Sequence, residues 1–371
     1  MKMKIFLQAP NDGQYAFDNW EKGNFPGHFL YGATHFGELG IEIVMRRHRE
    51  YRNHLMKTLD GARQILFCKE HFDAVFATYH SGLEIVIMLR ALRLFRKRIV
   101  VWHHQPIIKS PEWWREWLGR LYYRGIDEVV FFSQKILDDS LKTGKVKRER
   151  MHVCHWGPDL RFYDKVLSKV ATSVPPSKAP ANKRFISTGR ELRDMPTLIA
   201  AFNNTGLPLE IYISKSNGTM DYTEIIARQH PKENIRVTIT EGYQQHKLCF
   251  QVAEALCVVI CCQKTNYTVG LTTVVEALAL GKPIICSRNP QIPIDFDKEG
   301  CGISVDYYDT QGWENAITYI YTHPKEAAEM GKRARKLAEE RFNDWICARE
   351  IAGILKGGEK SEFALEKGQT L

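Results

Sequence analysis

Strand-like runs rich in β-branched residues alternate with helix-like segments along the chain, and the alternation occurs twice. In the first half the strand candidates are Lys4–Leu7, Ile41–Met45, Ala74–Tyr79, Ile99–Trp102 and Val129–Phe132. In the second they are Arg184–Ser187, Leu209–Ile213, Ile235–Ile239, Cys257–Cys262, Pro283–Ser287 and Gly302–Val305. Helix-like patterns such as Leu83–Phe95 lie between most of them. A parallel return needs a crossover, so this alternation predicts parallel sheets covered by helices on both faces. Between the halves, Val166–Lys183 (VLSKVATSVPPSKAPANK) is rich in Pro, Ser and Ala and reads as a linker. The expected class is α/β, with two Rossmann-like domains facing a cleft and ligands at the carboxyl ends of the strands. The expected division is a first domain at 1–165, a linker at 166–183, a second domain at 184–340 and a C-terminal helix and tail at 341–371. Lys325–Leu355 carries an amphipathic stripe with a break at Phe342-Asn343-Asp344.

The 371 residues suit two domains, and a 44% hydrophobic content supports a large core. No apolar run reaches the roughly 18–20 residues that span a bilayer. The start, MKMKIFLQAPNDG, has only a short apolar stretch, so no signal peptide and a cytoplasmic location are expected. The nine cysteines are odd in number and mostly in apolar surroundings, as buried free thiols are. No cysteine–histidine spacing suggests a metal site. Charge is uneven: residues 1–180 hold 29 Lys+Arg against 19 Asp+Glu, and residues 181–371 hold 23 against 24. The basic half predicts an anionic partner.

The most chemically informative stretch is Val269–Ser287, VGLTTVVEALALGKPIICS. Gly270 at a loop–helix junction lets the backbone approach a ligand. Thr272 and Thr273 can cap the helix or offer hydroxyls. The unpaired N–H groups of the helix start suit a phosphate. Glu276, just over a turn into the helix, can accept two hydrogen bonds from a ribose diol. An ordinary capped helix with an acid favoured by the dipole would give the same residues.

Gly270–Ile285 resembles the donor-site motif of two-Rossmann (GT-B) glycosyltransferases, and more narrowly the retaining group 1 class. Phe185–Phe202 (FISTGRELRDMPTLIAAF) is similar to that family's opening of its second domain, and the segment from Met330 to its C-terminal helices. RIVVWHHQP and DEVVFFSQK fall where the family has a strand ending in a histidine and a strand ending in a serine, and VCHWGPDLRFY resembles its strand and Gly-x-Asp turn before the linker. The resemblance implies that the last helix crosses back to the first domain. It implies no cofactor, with a nucleotide-diphosphate sugar, UDP or GDP, as co-substrate. Glu276 would hold the ribose. Thr268 stands where the family has the first acid of its Glu-x7-Glu pair, so a hydroxyl faces the donor sugar. Leu271 lies in the same turn. Gly189 and Arg190 match the diphosphate-binding pair; Met195 replaces the expected lysine, with Arg193 the nearest substitute. Tyr243 is expected beside the base. His104 is expected to touch the donor sugar.

In the first half, Gly23–Gly32 (GNFPGHFLYG) offers Asn24, Gly27 and His28 as a phosphate or acceptor loop before an expected helix at Leu30–Leu39. In Ser110–Asp127, Trp113, Trp114 and Trp117 interleave with arginines, which suits either a membrane-surface helix or a packed aromatic face. Met45–Arg52 (MRRHREYR) adds positive charge. The expected function is transfer of a sugar to a glycan or lipid-linked glycan acceptor, with retention and without metal. Asp295-Phe296-Asp297 is not expected to hold a metal. An epimerase of the same architecture and an inactive nucleotide-sugar-binding protein are the alternatives. No nucleic-acid-binding module is recognised.

Overall fold

Two six-stranded parallel sheets organise a computed structural model that describes residues 2–9, 12–173, 184–217, 220–240 and 245–357. Contacts divide the chain into two units. Met1–Trp156 and the segment from Asp344 form the first, and Gly157–Asn343 the second.

In the first unit the strands are β1 (Met3–Gln8), β2 (Ile41–Met45), β3 (Ala74–Ala77), β4 (Arg98–His103), β5 (Glu128–Phe131) and β6 (Met151–Val153). Their order is β2-β1-β3-β4-β5-β6. The helices are α1 (Gly13–Glu21), α2 (His54–Leu66), α3 (Glu84–Ala91), α4 (Trp113–Arg124) and α5 (Gln134–Leu141). β3 is buried at every residue, as a strand covered on both faces must be. The strand order reverses between β1 and β3, where crossovers leave the sheet in opposite directions and open a crevice.

The expected helix at Leu30–Leu39 is not formed. Two 3-10 turns, Gly27–Leu30 and Ala33–His35, take its place. Tyr31 (φ 55°) and Gly32 (φ 85°) adopt left-handed conformations between them, which ends any helix. A Cβ on Gly32 would lie 2.6 Å from Ala348 Cα, so the turn is moulded onto the last helix. His35 Nε2 sits 2.9 Å from Asp344 Oδ2 at the start of that helix, and both groups are buried.

The second unit begins with α6 (Leu160–Ser173), so the stretch read as a linker is helical up to Ser173; residues 174–183 lie outside the described residues. Tyr163 and Val166 of α6 are buried. The order then runs β7 (Phe185–Gly189), α7 (Met195–Thr205), β8 (Leu209–Ser214), the small strands β9 (Ser216–Asn217) and β10 (Met220–Asp221), and α8 (Tyr222–Ala227). After them come β11 (Ile235–Thr240), α9 (Cys249–Glu254), β12 (Cys257–Ile260), α10 (Leu271–Ala279), β13 (Ile284–Ser287), α11 (Phe296–Glu299), β14 (Gly302–Val305), α12 (Thr310–Thr322) and α13 (Pro324–Glu340). The last helix, α14 (Asp344–Lys356), returns to the first unit. The break near 342 is as expected. The large sheet is ordered β11-β8-β7-β12-β13-β14, with the reversal between β7 and β12, which pair through Phe185–Cys257 and Ile186–Val258. Phe185, Leu198, Phe202, Ile211 and Trp313 pack between this sheet and its helices. Asp194 caps α7, whose Gly206 end takes the left-handed turn (φ 69°) that releases the chain into β8.

All nine cysteines are free and eight are buried. No helix among the described residues is long and apolar enough to cross a membrane.

Candidate functional site

The reversal between β7 and β12 brings two glycine turns together. β7 ends at Gly189, whose φ of +136° disfavours any side chain, and a Cβ there would lie 2.2 Å from Arg193 Nη2. After β12 the chain runs to Gly270, φ +90°, where a Cβ would lie 2.7 Å from Ile260 Cγ2. Gly270 opens α10 without a side-chain cap and with no acid in the first turn. Leu271 N–H donates to Thr268 O at 3.1 Å. The helix end therefore keeps the positive potential of an uncapped N-terminus.

Arg193 lies directly behind both turns and is 3% exposed. Its Nε and Nη2 donate to Thr188 O at 3.3 and 3.0 Å. Its Nη1 donates to Glu191 O at 3.1 Å and meets Cys262 Sγ at 3.3 Å. Nη2 also donates to Thr273 Oγ1 at 3.2 Å, and that hydroxyl reaches Thr188 O at 3.4 Å. All five N–H groups thus have internal acceptors, and none is left for direct contact with a ligand. The expectation that Arg193 takes the place of the family's lysine on the diphosphate is corrected to a buried cation behind the turns. Burial raises the Cys262 thiol pKa despite Arg193, so no thiolate neutralises the guanidinium. Met195, where the family lysine was expected, is wholly buried in the core, a position no ammonium could occupy without a partner.

Arg190, next to Gly189, is exposed. Thr268 and Thr272 are half-buried, while Leu271 and Thr273 are buried. Glu276 is 1% exposed within α10, and its charge adds to burial in raising the Cys249 thiol. Tyr243 lies outside the described residues. Two partners were not legible in the sequence. Tyr267 Oη donates to Glu191 Oε1 at 2.7 Å, and Arg193 N–H donates to the Tyr222 hydroxyl at 2.9 Å. Asp295 caps α11, and Asp297 pairs with Arg288 at 3.3 Å, so both carboxylates have structural partners. No cluster of three or more metal-binding side chains occurs among the described residues.

In the first unit His104 follows β4. Its Nε2 lies 2.8 Å from Thr78 O; a carbonyl only accepts, so Nε2 carries the hydrogen and Nδ1 the lone pair. Tyr31, Tyr79 and Phe132 surround the ring. Burial lowers its pKa to about 4, so it is neutral at pH 7. His103, pushed to about 3 chiefly by burial, contacts Gln105 O at 2.6 Å and Tyr123 Oη at 2.9 Å. Asn24 is exposed, whereas Gly27 and His28 are buried. Trp156 Nε1 donates to His28 O at 2.8 Å, and a Cβ on Gly27 would meet Trp20 at 2.8 Å, so this part of the loop is packed inside the unit. Trp113, Trp114 and Trp117 are 81, 46 and 59% exposed, and α4 has no buried residue; they are not core aromatics.

The family model described as "Glycosyl transferases group 1" matches residues 223–337. An MMP α-(1→4)-mannosyltransferase of Mycolicibacterium hassiacum is 22% identical over 67% of this chain, and the match spans 63% of that protein's length. The solved structure of Anabaena Alr3699/HepE in complex with UDP superposes with a TM-score of 0.65 at 15% identity, covering 96% of this chain and all of that one. The α,α-trehalose-phosphate synthase (UDP-forming) of Burkholderia vietnamiensis gives 0.70 at 10% identity, covering 96 and 98%. These matches do not favour an epimerase. Residues 223–337 thus carry the similarity to the group 1 glycosyltransferases, and the two sheets are the Rossmann-like halves of a GT-B fold.

Proposed function

We propose that this protein is a glycosyltransferase that moves a sugar from a nucleoside diphosphate sugar to a glycan or lipid-linked glycan. The observation that carries the reading is the uncapped start of α10 at the β7–β12 reversal, with the buried Arg193 guanidinium, which makes no ion pair among the described residues, behind it. A diphosphate there would meet the amides around Gly270–Thr273, Arg190 from the side and the field of Arg193 from below. These groups offset the charge of the leaving diphosphate, which supports a reaction without metal. Thr268 would offer a hydroxyl to the donor, Glu276 would hold the ribose, and Tyr243 would stack on the base. His104 Nδ1 would accept from a donor-sugar hydroxyl. In a retaining reaction the acceptor hydroxyl attacks the anomeric carbon on the face the leaving group departs from. The bond to the diphosphate oxygen breaks, and that oxygen takes the hydroxyl proton. The UDP bound to the Anabaena relative supports UDP as the first nucleotide to test. The exposed Trp113, Trp114 and Trp117, with Arg115 over the Trp114 ring at 5.0 Å, support docking of α4 on a membrane that presents the acceptor.

The test is nucleotide release over UDP-, GDP- and ADP-sugars with glycan and lipid-linked acceptors, alongside calorimetry of Glu276→Ala and Arg190→Ala. Glu276→Ala should weaken nucleotide binding about 10- to 100-fold, the worth of one charged hydrogen bond. Arg190→Ala should weaken the diphosphate far more than the nucleoside. Binding without release across the panel would select the inactive binding protein, and unchanged affinity in both variants would remove the assigned site.

A further inference from the structure

The first sheet has its own strand reversal, between β1 and β3, and a cavity of about 600 Å³ opens beside the end of β1. Arg46, His48, Arg49, Tyr51, His54 and Lys57 line it, from the loop after β2 and the first turn of α2. Arg46 is 8% exposed and fixed as a wall: Nη1 donates to Gln8 Oε1 at 2.7 Å, and Nη2 to Tyr51 Oη at 3.1 Å and Lys57 O at 3.2 Å. The carboxylate beside the two arginines, Asp60, is 4.0 Å from Arg46 and 3.7 Å from Arg49. It is already engaged, accepting from Tyr51 Oη at 2.6 Å and from Gln64 and Arg63. His54 pairs with Glu84 at 3.1 Å. Glu50 is the cavity's own acid, and it is exposed.

Lys57 is half-buried and has no hydrogen-bond acceptor or ion-pair partner among the described residues. Burial and then the Arg46 charge hold its pKa below the usual lysine value, against a smaller opposing pull from the Glu84 carboxylate. A cation in that position gains from any anion that enters. Its Nζ lies 6.0 Å from the centroid of the Tyr79 ring, and that ring lies 5.6 Å from the His104 ring. One ring, Tyr79, thus neighbours both Lys57 of the cavity and His104.

We propose that this cavity binds a phosphate carried by the acceptor, through Lys57 and Arg49 against the fixed Arg46. The acceptor is then a phosphorylated sugar or the sugar of a lipid-linked diphosphate, with its hydroxyl presented beside His104. The inference rests on the glycosyltransferase reading and deepens it. The phosphate itself stays intact; it positions the hydroxyl that attacks the donor.

The experiment uses the full chain first saturated with its nucleoside diphosphate. One arm titrates glucose 6-phosphate against glucose by calorimetry. The other measures binding to phosphatidylcholine vesicles with and without a polyprenyl-diphosphate-linked sugar. Lys57→Met and Arg49→Met should each weaken the phosphorylated probe about tenfold in one arm, which identifies the source, and Lys57→Arg should retain it. Nucleotide affinity, measured on the same samples, should not change; its absence in the parent protein would defeat the glycosyltransferase reading instead. Equal binding of glucose and glucose 6-phosphate together with no dependence on the lipid diphosphate overturns the proposal. So does phosphate binding that both methionine variants leave intact.

Discussion

Replacing Arg193 with Met separates the two jobs of the buried guanidinium. The side chain is 3% exposed and gives all five N–H groups to Thr188 O, Glu191 O, Cys262 Sγ and Thr273 Oγ1. Methionine fills similar space but donates nothing. Thr188 O keeps the Thr273 hydroxyl, while three acceptors, the part-buried Glu191 O, the weakly accepting Cys262 Sγ and Thr273 Oγ1, lose the arginine. A fully buried acceptor left unpaired costs about 1–3 kcal/mol, the other two less, and removing a buried charge that makes no ion pair returns part of that. A net loss of about 2–4 kcal/mol of folding stability is expected in urea titration. The second effect is electrostatic. A phosphate at the α10 mouth would sit about 7 Å from the guanidinium, worth about 2 kcal/mol per unit charge at an effective dielectric of about 20. That is roughly 30-fold in affinity for the nucleoside diphosphate and nothing for the uncharged nucleoside. Arg193→Lys keeps the charge while losing part of the hydrogen bonding, so it should lose stability but retain most of the diphosphate preference. Calorimetry with UDP or GDP and the matching nucleoside gives the comparison. If Arg193→Met weakens nucleoside and diphosphate equally, the residue only braces the fold and the electrostatic argument fails. If Arg193→Lys loses the preference as fully as Met, charge is not the cause.

Serine at Trp113 and Trp117 should lower binding to anionic liposomes while leaving the melting temperature within a degree or two, because 81 and 59% exposed rings contribute little to the core; a large drop in melting temperature with liposome binding intact would reverse the assignment. Lys282, before β13, has its pKa lowered to about 8, chiefly by burial. The unfolded chain holds that proton up to about pH 10.5, so stability should rise with pH between about 8 and 10.5. Lys282→Met should be more stable at pH 7 by up to about 3 kcal/mol and should flatten that rise; an unchanged pH profile in urea titration would show that the ammonium is solvated.

Most of the large-sheet strands were legible because they are short apolar, β-branched runs, and the central β12 and β13 are buried at every residue; β6, three residues long, was not among the candidates, and the edge strand β11 is partly exposed. Where the sequence reading failed, a tertiary contact outweighed local pattern. Leu30–Leu39 looked helical, yet Gly32 is pressed against Ala348, more than 300 residues away in the chain, and the backbone turns left-handed there. Val166–Ser173 looked like linker because Ser, Ala and Thr dilute its pattern, but Tyr163 and Val166 have a core to enter. The site divides along the same line. Gly189 and Gly270 could be picked out singly, since a glycine at a strand end or helix start has few other reasons to be there. That both make room beside one guanidinium could not be read, because the direction of the Arg193 side chain depends on carbonyls at 188 and 191 that only the turn creates.

The basic segment Met45–Arg52 gives the sharpest case. As sequence it is a run of surface charge, and its four arginines and one histidine look alike. Folding makes them unequal: Arg46 is buried and fixed to Gln8, while His48 and Arg49 stay exposed at the rim. Lys57, outside the run, is the cation left without an acceptor. Charge count alone would assign this face to any polyanion. A fixed guanidinium, a half-buried ammonium without an acceptor and a ring shared with His104 instead define a position for one small anion, and salt should weaken binding at such a partly buried site less than a diffuse surface contact.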